Sequence, residues 1–354
     1  MGLSTIGFGG RLLFDSAHAV RNMGAAHSAI MGLERAFMSA TMAAGLFAIP
    51  IVAAANTASK FEDQMSSTRA VLLATADDVK TLREQALTLR TVFTPTEVAS
   101  AQEQLARAGF SLNETLSATP GVAAMAAAED MGLAKAADIT AAALRQFLLP
   151  AEKAGQVADL LARGSALSQA SITSLGESLK FAAPQMRTLG FDIVETVAAL
   201  SAIHNVGIKG TLAGTALQNM MTKLVRPTTK LAKVLQSSLG VGLQGAAGDT
   251  KTLTQLTKDI FAAFSDASLT KVQKAALAVE LFGLRGEKAA NALMVSTASA
   301  GEMNLDNLVD QLTNARGAAQ AMADIRLDNL RGDLRLLSRD LEEMQIRIFE
   351  VMMT

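Results

Sequence analysis

The chain has 354 residues, with 32 Lys+Arg against 33 Asp+Glu for a net charge of −1, and no cysteine. That balance argues against a broad basic footprint for nucleic acid and against a polybasic membrane patch, and the missing thiols exclude disulfides, thiolate metal sites and a cysteine nucleophile. Half the residues are hydrophobic, 66 are Ala, only 6 are Pro, and Tyr and Trp are absent, which is the composition of an ordered, helix-forming chain.

At the N-terminus, Arg11, Arg21 and Arg35 alternate with Asp15, His18 and Glu34, which is not the charged start of a secretory signal, and Ile6 stands where a myristoylation signal needs Ser or Thr. Ala36–Ala55 is uncharged and of membrane-span length, but eight of its 20 residues are Ala, and Gly45 and Pro50 interrupt it. It reads as a buried or self-associating Ala-rich helix, with a membrane-active segment as the alternative.

Further along, capping chemistry marks the helix starts. Thr94-Pro95-Thr96-Glu97 combines a capping hydroxyl, a proline at the first helical position and a glutamate reaching back, so a helix is expected from there to Ala108, stopping at Gly109. Ser111-Leu-Asn-Glu114 and Asp192-Ile-Val-Glu195 repeat the device, the latter opening a helix to about Val206. Breaks are expected at Pro120-Gly121, Pro150, Pro184, Pro227 and Gly283. The glycine-rich stretch Gly240–Gly248 could hold a short non-helical excursion, and no sustained period-2 run appears. The fold class is therefore mostly α, with about a dozen helices.

The last fifty residues carry a different pattern. Leu308, Leu312, Ala315, Ala319 and Met322 are spaced 4-3-4-3; after a slip, Leu330, Leu334, Leu337, Leu341, Met344, Ile348 and Val351 resume at 4-3-4-3-4-3. Mixed charges lie between, so this is a heptad seam on one long helix, read either as the start of a coiled coil or as an amphipathic helix packed on its own domain. The resulting division is an Ala/Gly-rich segment over 1–59, a multi-helix domain over 60–303, and the heptad-patterned helix over 304–354. Arg347–Thr354 stops in mid-pattern, which gives the expectation that the chain is the front part of a longer protein.

The residues give little to build chemistry with. Three histidines (His18, His27, His204) form no metal-binding pair at helical spacing, and His204 reads as a helix-end or partly buried ring. Gly7–Gly10 lacks dinucleotide-loop spacing, and Gly207–Gly214 holds a lysine without the Gly-Lys-Ser/Thr of a phosphate loop. Glu129-Asp130 and Glu342-Glu343 are neighbours that point to different helix faces. No catalytic, metal or cofactor residue is expected, and neither is sequence-specific nucleic acid or a small-molecule substrate. The glycine block Gly207, Gly210 and Gly214 is instead read as a packing device: a tight turn, then close helix approach.

That block, Gly207-Ile-Lys-Gly210 followed by Ala213-Gly-Thr-Ala-Leu217, resembles the signature segment of phage tail tape measure proteins of the TP901 type. Phe61-Glu-Asp-Gln-Met65, Phe93–Val98, Leu105–Gly109, Ser171-Ile-Thr, Leu179-Lys180, Leu281-Phe-Gly283, Ala289–Leu293 and Ala318–Leu337 follow the family's order. The resemblance covers about residues 56 to 350. It implies a structural, non-enzymatic protein that occupies the tail tube lumen, sets tail length and leaves with the DNA. The implied partners are further copies of itself (a homo-oligomer), the tail tube protein, tail-tip or baseplate proteins and assembly chaperones, with host membrane contact on ejection. The implied location is the virion, after assembly in the bacterial cytoplasm. The structural positions expected are Gly207, Gly210 and Gly214 in the core, and Leu330, Leu334, Leu337, Leu341, Met344 and Ile348 in the seam. An α-helical membrane-inserting or pore-forming protein using 36–55 is the competing reading.

Overall fold

The computed structural model describes residues 48–225, 251–265, 270–299 and 301–353. These contain 14 α-helices: α1 (Ala48–Leu72), α2 (Ala76–Thr88), α3 (Pro95–Arg107), α4 (Leu112–Glu129), α5 (Leu133–Gln146), α6 (Ala154–Ala166), α7 (Ile172–Thr188), α8 (Ile193–Asn205), α9 (Thr211–Val225), α10 (Leu253–Phe264), α11 (Lys271–Ala298), α12 (Leu305–Thr313), α13 (Ala318–Leu327) and α14 (Leu330–Met353). No strand occurs among the described residues. The N-terminal segment through Phe47, with His18, His27 and most of the apolar run, lies outside them, as do Pro227 and Gly240–Gly248. Among the described residues no helix is long and apolar enough to cross a membrane.

The helix starts follow the capping chemistry. Reciprocal capping boxes form at Thr94/Glu97, Ser111/Glu114 and Asp192/Glu195, and also at Thr75/Asp78, Thr252/Gln255 and Thr270/Gln273. Gly109, Gly190 and Gly207 end their helices at positive φ, where a side chain would strain the backbone. One hydrophobic cluster runs from Phe61 on α1 to Ile346 on α14. Within it α9 lies between α7 and α11, α4 packs on α6 and α13, and α1 packs on α3 and α14.

Two expected breaks are not breaks. Pro120 lies inside α4 and Pro184 inside α7. A proline in a helix leaves the carbonyl four residues earlier without its N–H partner. Here Gln85 of α2 donates to the freed Leu116 carbonyl at 2.7 Å, and Gln146 of α5 reaches the freed Lys180 carbonyl at 3.4 Å. Each helix continues because a neighbouring glutamine supplies the missing donor. The breaks at Pro150 and Gly283 do occur: Pro150 caps a short 3-10 turn, and Gly283, at φ 72°, kinks α11.

The long helix expected over 304–354 is three helices. Gly317 takes a left-handed φ of 80°, and Asp159 of α6 accepts the Gly317 and Ala319 N–H groups at 2.8 and 3.0 Å, starting α13 at a new angle. The slip in the heptad pattern is a second break: Asn329 Oδ1 accepts from Arg331 and Gly332 at 3.0 and 3.2 Å and opens α14. Leu308, Leu312, Ala315 and Ala319 are buried in the main core rather than forming a seam between chains. The expected boundary at 59/60 falls inside α1.

Candidate functional site: the glycine corner and the outer face of the last helix

Gly207, Gly210 and Gly214 sit where α8 turns into α9 against α7. Gly207 has φ +87° and nothing within 4 Å of where a side chain would begin, so its role is the turn itself. Gly210 has φ +56° and is gripped by two serines one turn apart on α7: its N–H donates to Ser174 Oγ at 3.0 Å, and its carbonyl accepts from Ser178 Oγ at 2.7 Å. One turn on, a Cβ at Gly214 would lie 2.2 Å from the Ser178 carbonyl oxygen, so the two backbones touch. The same small-residue approach recurs at Gly286, whose Cβ would meet Met220 N at 2.8 Å, and at Gly121, whose Cβ would meet Gly155 N at 2.5 Å.

His204, at the end of α8, is fully buried and belongs to this corner. Its Nε2 lies 2.9 Å from Ser178 Oγ. Ser178 has one proton, and the carbonyls of Gly210 and Ser174 stand within reach as its acceptors at 2.7 and 2.8 Å. The ring is therefore assigned as the donor, neutral with its proton on Nε2, which leaves Nδ1 a buried atom with no protein partner. Burial first, and the nearby Lys209 charge second, lower its pKa to about 4. A Ser–His contact suggests a nucleophile and its base, but the surroundings oppose that chemistry. Both residues are fully buried, the serine proton is committed to a carbonyl, and no carboxylate orients the ring. The arrangement ties three helices at one turn.

A set of carboxylates does work that the sequence did not disclose. Glu129 accepts the Thr173 N–H at the start of α7 (2.8 Å), Glu195 the Leu253 N–H at the start of α10 (2.9 Å), and Glu342 the Thr96 N–H at the start of α3 (2.8 Å). With Asp159 they form four caps supplied from a different helix, each placing an anion at a positive helix end. Asp130 instead pairs with Arg331 at 2.8 Å and Arg335 at 2.6 Å, fastening the start of α14 to the end of α4. Among the described residues no group of three or more His, Asp or Glu could hold a metal ion.

The seam on α14 turns outward. Leu330, Leu334, Leu337 and Leu341 are 66, 56, 40 and 39% exposed, whereas Met344 and Ile348 are half-buried. The opposite face meets the rest of the chain. Ile346 is fully buried, Gln345 accepts from Thr57 at 2.7 Å, Arg83 Nε donates to Glu350 at 2.7 Å, and Arg339 reaches the Leu87 carbonyl at 3.4 Å.

Residues 77–283 match the sequence model of the family described as phage-related minor tail protein. The chain belongs to that family. The matched span contains the whole glycine corner and ends at the α11 kink, leaving α14 beyond it. Two relatives are named for a tail component. The "Tape measure protein" of Pneumococcus phage Dp-1 is 32% identical over 328 residues, covering 92% of this chain. The "Probable tape measure protein" of Escherichia phage P2 is 28% identical over 295 residues, covering 82% of it. The chain spans only 28% and 36% of the length of these relatives. No solved structure matches it.

Proposed function

We propose that this chain is the folded assembly domain of a phage tail tape measure protein. It acts with further copies of itself inside the tail tube, engages the tube protein and the tail-tip or baseplate and chaperone proteins during assembly, and leaves with the DNA on ejection. The observation that carries this reading is the match over nearly the whole chain to relatives bearing the tape measure name, within a family of phage minor tail proteins.

The geometry supports a structural role rather than a catalytic one. Polar groups at the glycine corner and the helix ends are spent on holding helices together, and none faces a cleft with a free nucleophile or base. The helices are short and packed around one core, so this region resists extension and suits anchoring or nucleation. Under this reading the length-setting residues belong to the rest of the tape measure protein, which in the two relatives exceeds the matched region in length.

The test is genetic and structural. In the particle that encodes the chain, deleting its gene should abolish tails or leave tube length uncontrolled in electron micrographs. Disrupting the fold with Gly214→Leu should reduce tail yield without a proportional change in length. Tails of parental length in the deletion strain would overturn the proposal.

A further inference from the structure

The heptad columns of α14 divide its contacts. Leu330, Leu337 and Met344 form one apolar column, and Leu334, Leu341 and Ile348 the other. Gly332, Arg339 and Ile346, at seven-residue intervals, lie on the far side of the helix. That far side is the one turned inward: Gly332 and Ile346 are buried, and Arg339 lies among Leu87, Asp340 and Glu343. Its flanks supply the Asp130, Thr96 and Arg83 contacts. An amphipathic helix stabilising only its own domain would bury its leucines and expose its charges. α14 does the reverse, docking through one isoleucine and polar contacts of a kind that individually add little stability.

We infer that the outward leucine face of α14 is a self-association surface, occupied by the same face of a second copy of this chain, parallel and in register, while each α14 stays docked on its own domain. The inference deepens the self-association within the proposed tail role and rests on that role only for the shared direction of the copies. A second copy fits because the 4-3-4-3-4-3 spacing, held over three heptads, is met in phase by an identical strip. The flanking positions agree. In a parallel pair Asp333 faces Ser338 of the second copy and Asp340 faces its Gln345, so acceptors meet donors and no like charges oppose. An antiparallel pair gains Asp333 against Arg347 but sets Asp340 against its own copy. Docking through the far face leaves the seam clear, so pairing demands no unfolding of the domain and gathers the domains around a central pair of helices.

The absence of native cysteine makes a direct test possible with the purified chain. Leu337→Cys, at the middle of the seam, should form a disulfide-linked dimer on mild oxidation. Val272→Cys, 78% exposed on α11 and equally apolar, should stay monomeric. In sedimentation the cysteine-free parent should self-associate. Leu334→Lys with Leu341→Lys should weaken association at least ~100-fold while leaving helix content and the melting temperature of the monomer unchanged. Amide exchange at Thr96, whose N–H is held by Glu342, should not accelerate on association. The inference is overturned if the parent is monomeric at its highest soluble concentration, if Val272→Cys cross-links as readily as Leu337→Cys, or if the double lysine variant loses α14 in the monomer. Cross-linking of Leu337→Cys only to Leu341→Cys overturns the parallel arrangement, and faster exchange at Thr96 overturns docking. A monomeric result would leave the tail role standing, because that role is decided by tails in the deletion strain. Normal tails in that strain would leave a measured dimer standing.

Discussion

Gly214→Ala is the substitution that separates a packing glycine from an incidental one. Alanine is the better helix former by about 1 kcal/mol, so propensity alone predicts stabilisation inside α9. The structure predicts the opposite. The added Cβ would stand 2.2 Å from the Ser178 carbonyl oxygen, 2.9 Å from its carbon and 3.0 Å from its Cα, all backbone atoms of α7. Carbon and carbonyl oxygen ordinarily approach to about 3.3 Å, so the helices must part by about 1 Å. Overpacking of that kind costs about 1–3 kcal/mol. Separation also stretches the two serine contacts to Gly210, at 2.7 and 3.0 Å, each worth about 1 kcal/mol. After the propensity gain, a net loss of about 2–3 kcal/mol is expected. Gly155→Ala is the control: it is also helical, but its Cβ would meet nothing within 4 Å, so it should stabilise by about 0.5–1 kcal/mol. Urea unfolding followed by far-ultraviolet circular dichroism measures both against the parent. The reasoning fails if Gly214→Ala is as stable as the parent or as Gly155→Ala.

Three further outcomes follow from the same geometry. Gln85→Leu should cost about 1–3 kcal/mol by stranding the Leu116 carbonyl, and less when Pro120→Ala has restored that carbonyl's own N–H partner; a double-mutant cycle on unfolding midpoints checks the coupling. Asp159→Ala removes the acceptor for Gly317 and Ala319 and should cost about 1–2 kcal/mol in the same assay, with hydrogen exchange rising first in α13. His204 is held neutral in the fold with a pKa near 4 against an ordinary 6.5, so the unfolded chain binds the proton first as pH falls. Its contribution is complete above about pH 6.5 and is lost progressively toward pH 4, up to about 3 kcal/mol; His204→Gln should flatten that slope, and an unchanged slope would refute the assignment. The Asp78 and Glu114 carboxyls, held low by the Thr75 and Ser111 N–H groups and hydroxyls, act below that window, from 3.8 and 4.5 downward.

What could be read in advance was whatever a few neighbouring residues decide. The capping boxes at Thr94, Ser111 and Asp192 are local chemistry, and the same signature at Thr75, Thr252 and Thr270 was equally present in the text of the chain. Gly214 was legible as a small-residue position, but its partner, the Ser178 backbone, lies 36 residues earlier and leaves no local mark. The prolines misled for the same reason. Pro120 and Pro184 look like stops until Gln85 and Gln146 arrive from other helices. Glu129, Asp159, Glu195 and Glu342 looked like solvated charges because the helix ends they cap are remote in sequence. The heptad period was real throughout, yet a period of 3.5 cannot say whether an apolar face meets the chain's own core, as Leu308 and Leu312 do, or turns outward, as Leu330 and Leu334 do.

That ambiguity bears directly on how a tape measure could use this region. A ruler needs segments whose lengths add, which a helix provides at about 1.5 Å per residue. A closed core does not: inserting residues into α4 or α7 shifts every contact against α6 or α9 and lengthens nothing. With α12 and α13 folded onto the core, the heptad-patterned segment that can contribute length is α14, 24 residues or about 36 Å, rather than the whole of 305–353. Even α14 is anchored by its far face, so its place in the proposed role is at the junction where a folded block gives way to paired helices. The glycine corner and the borrowed caps hold that block rigid, and the outward leucines set the register in which copies leave it. Duplicating residues 330–350 keeps both columns in phase and adds about 32 Å of seam. In the intact protein that insertion should lengthen tails stepwise, whereas an insertion of equal size in α7 should lose tails altogether.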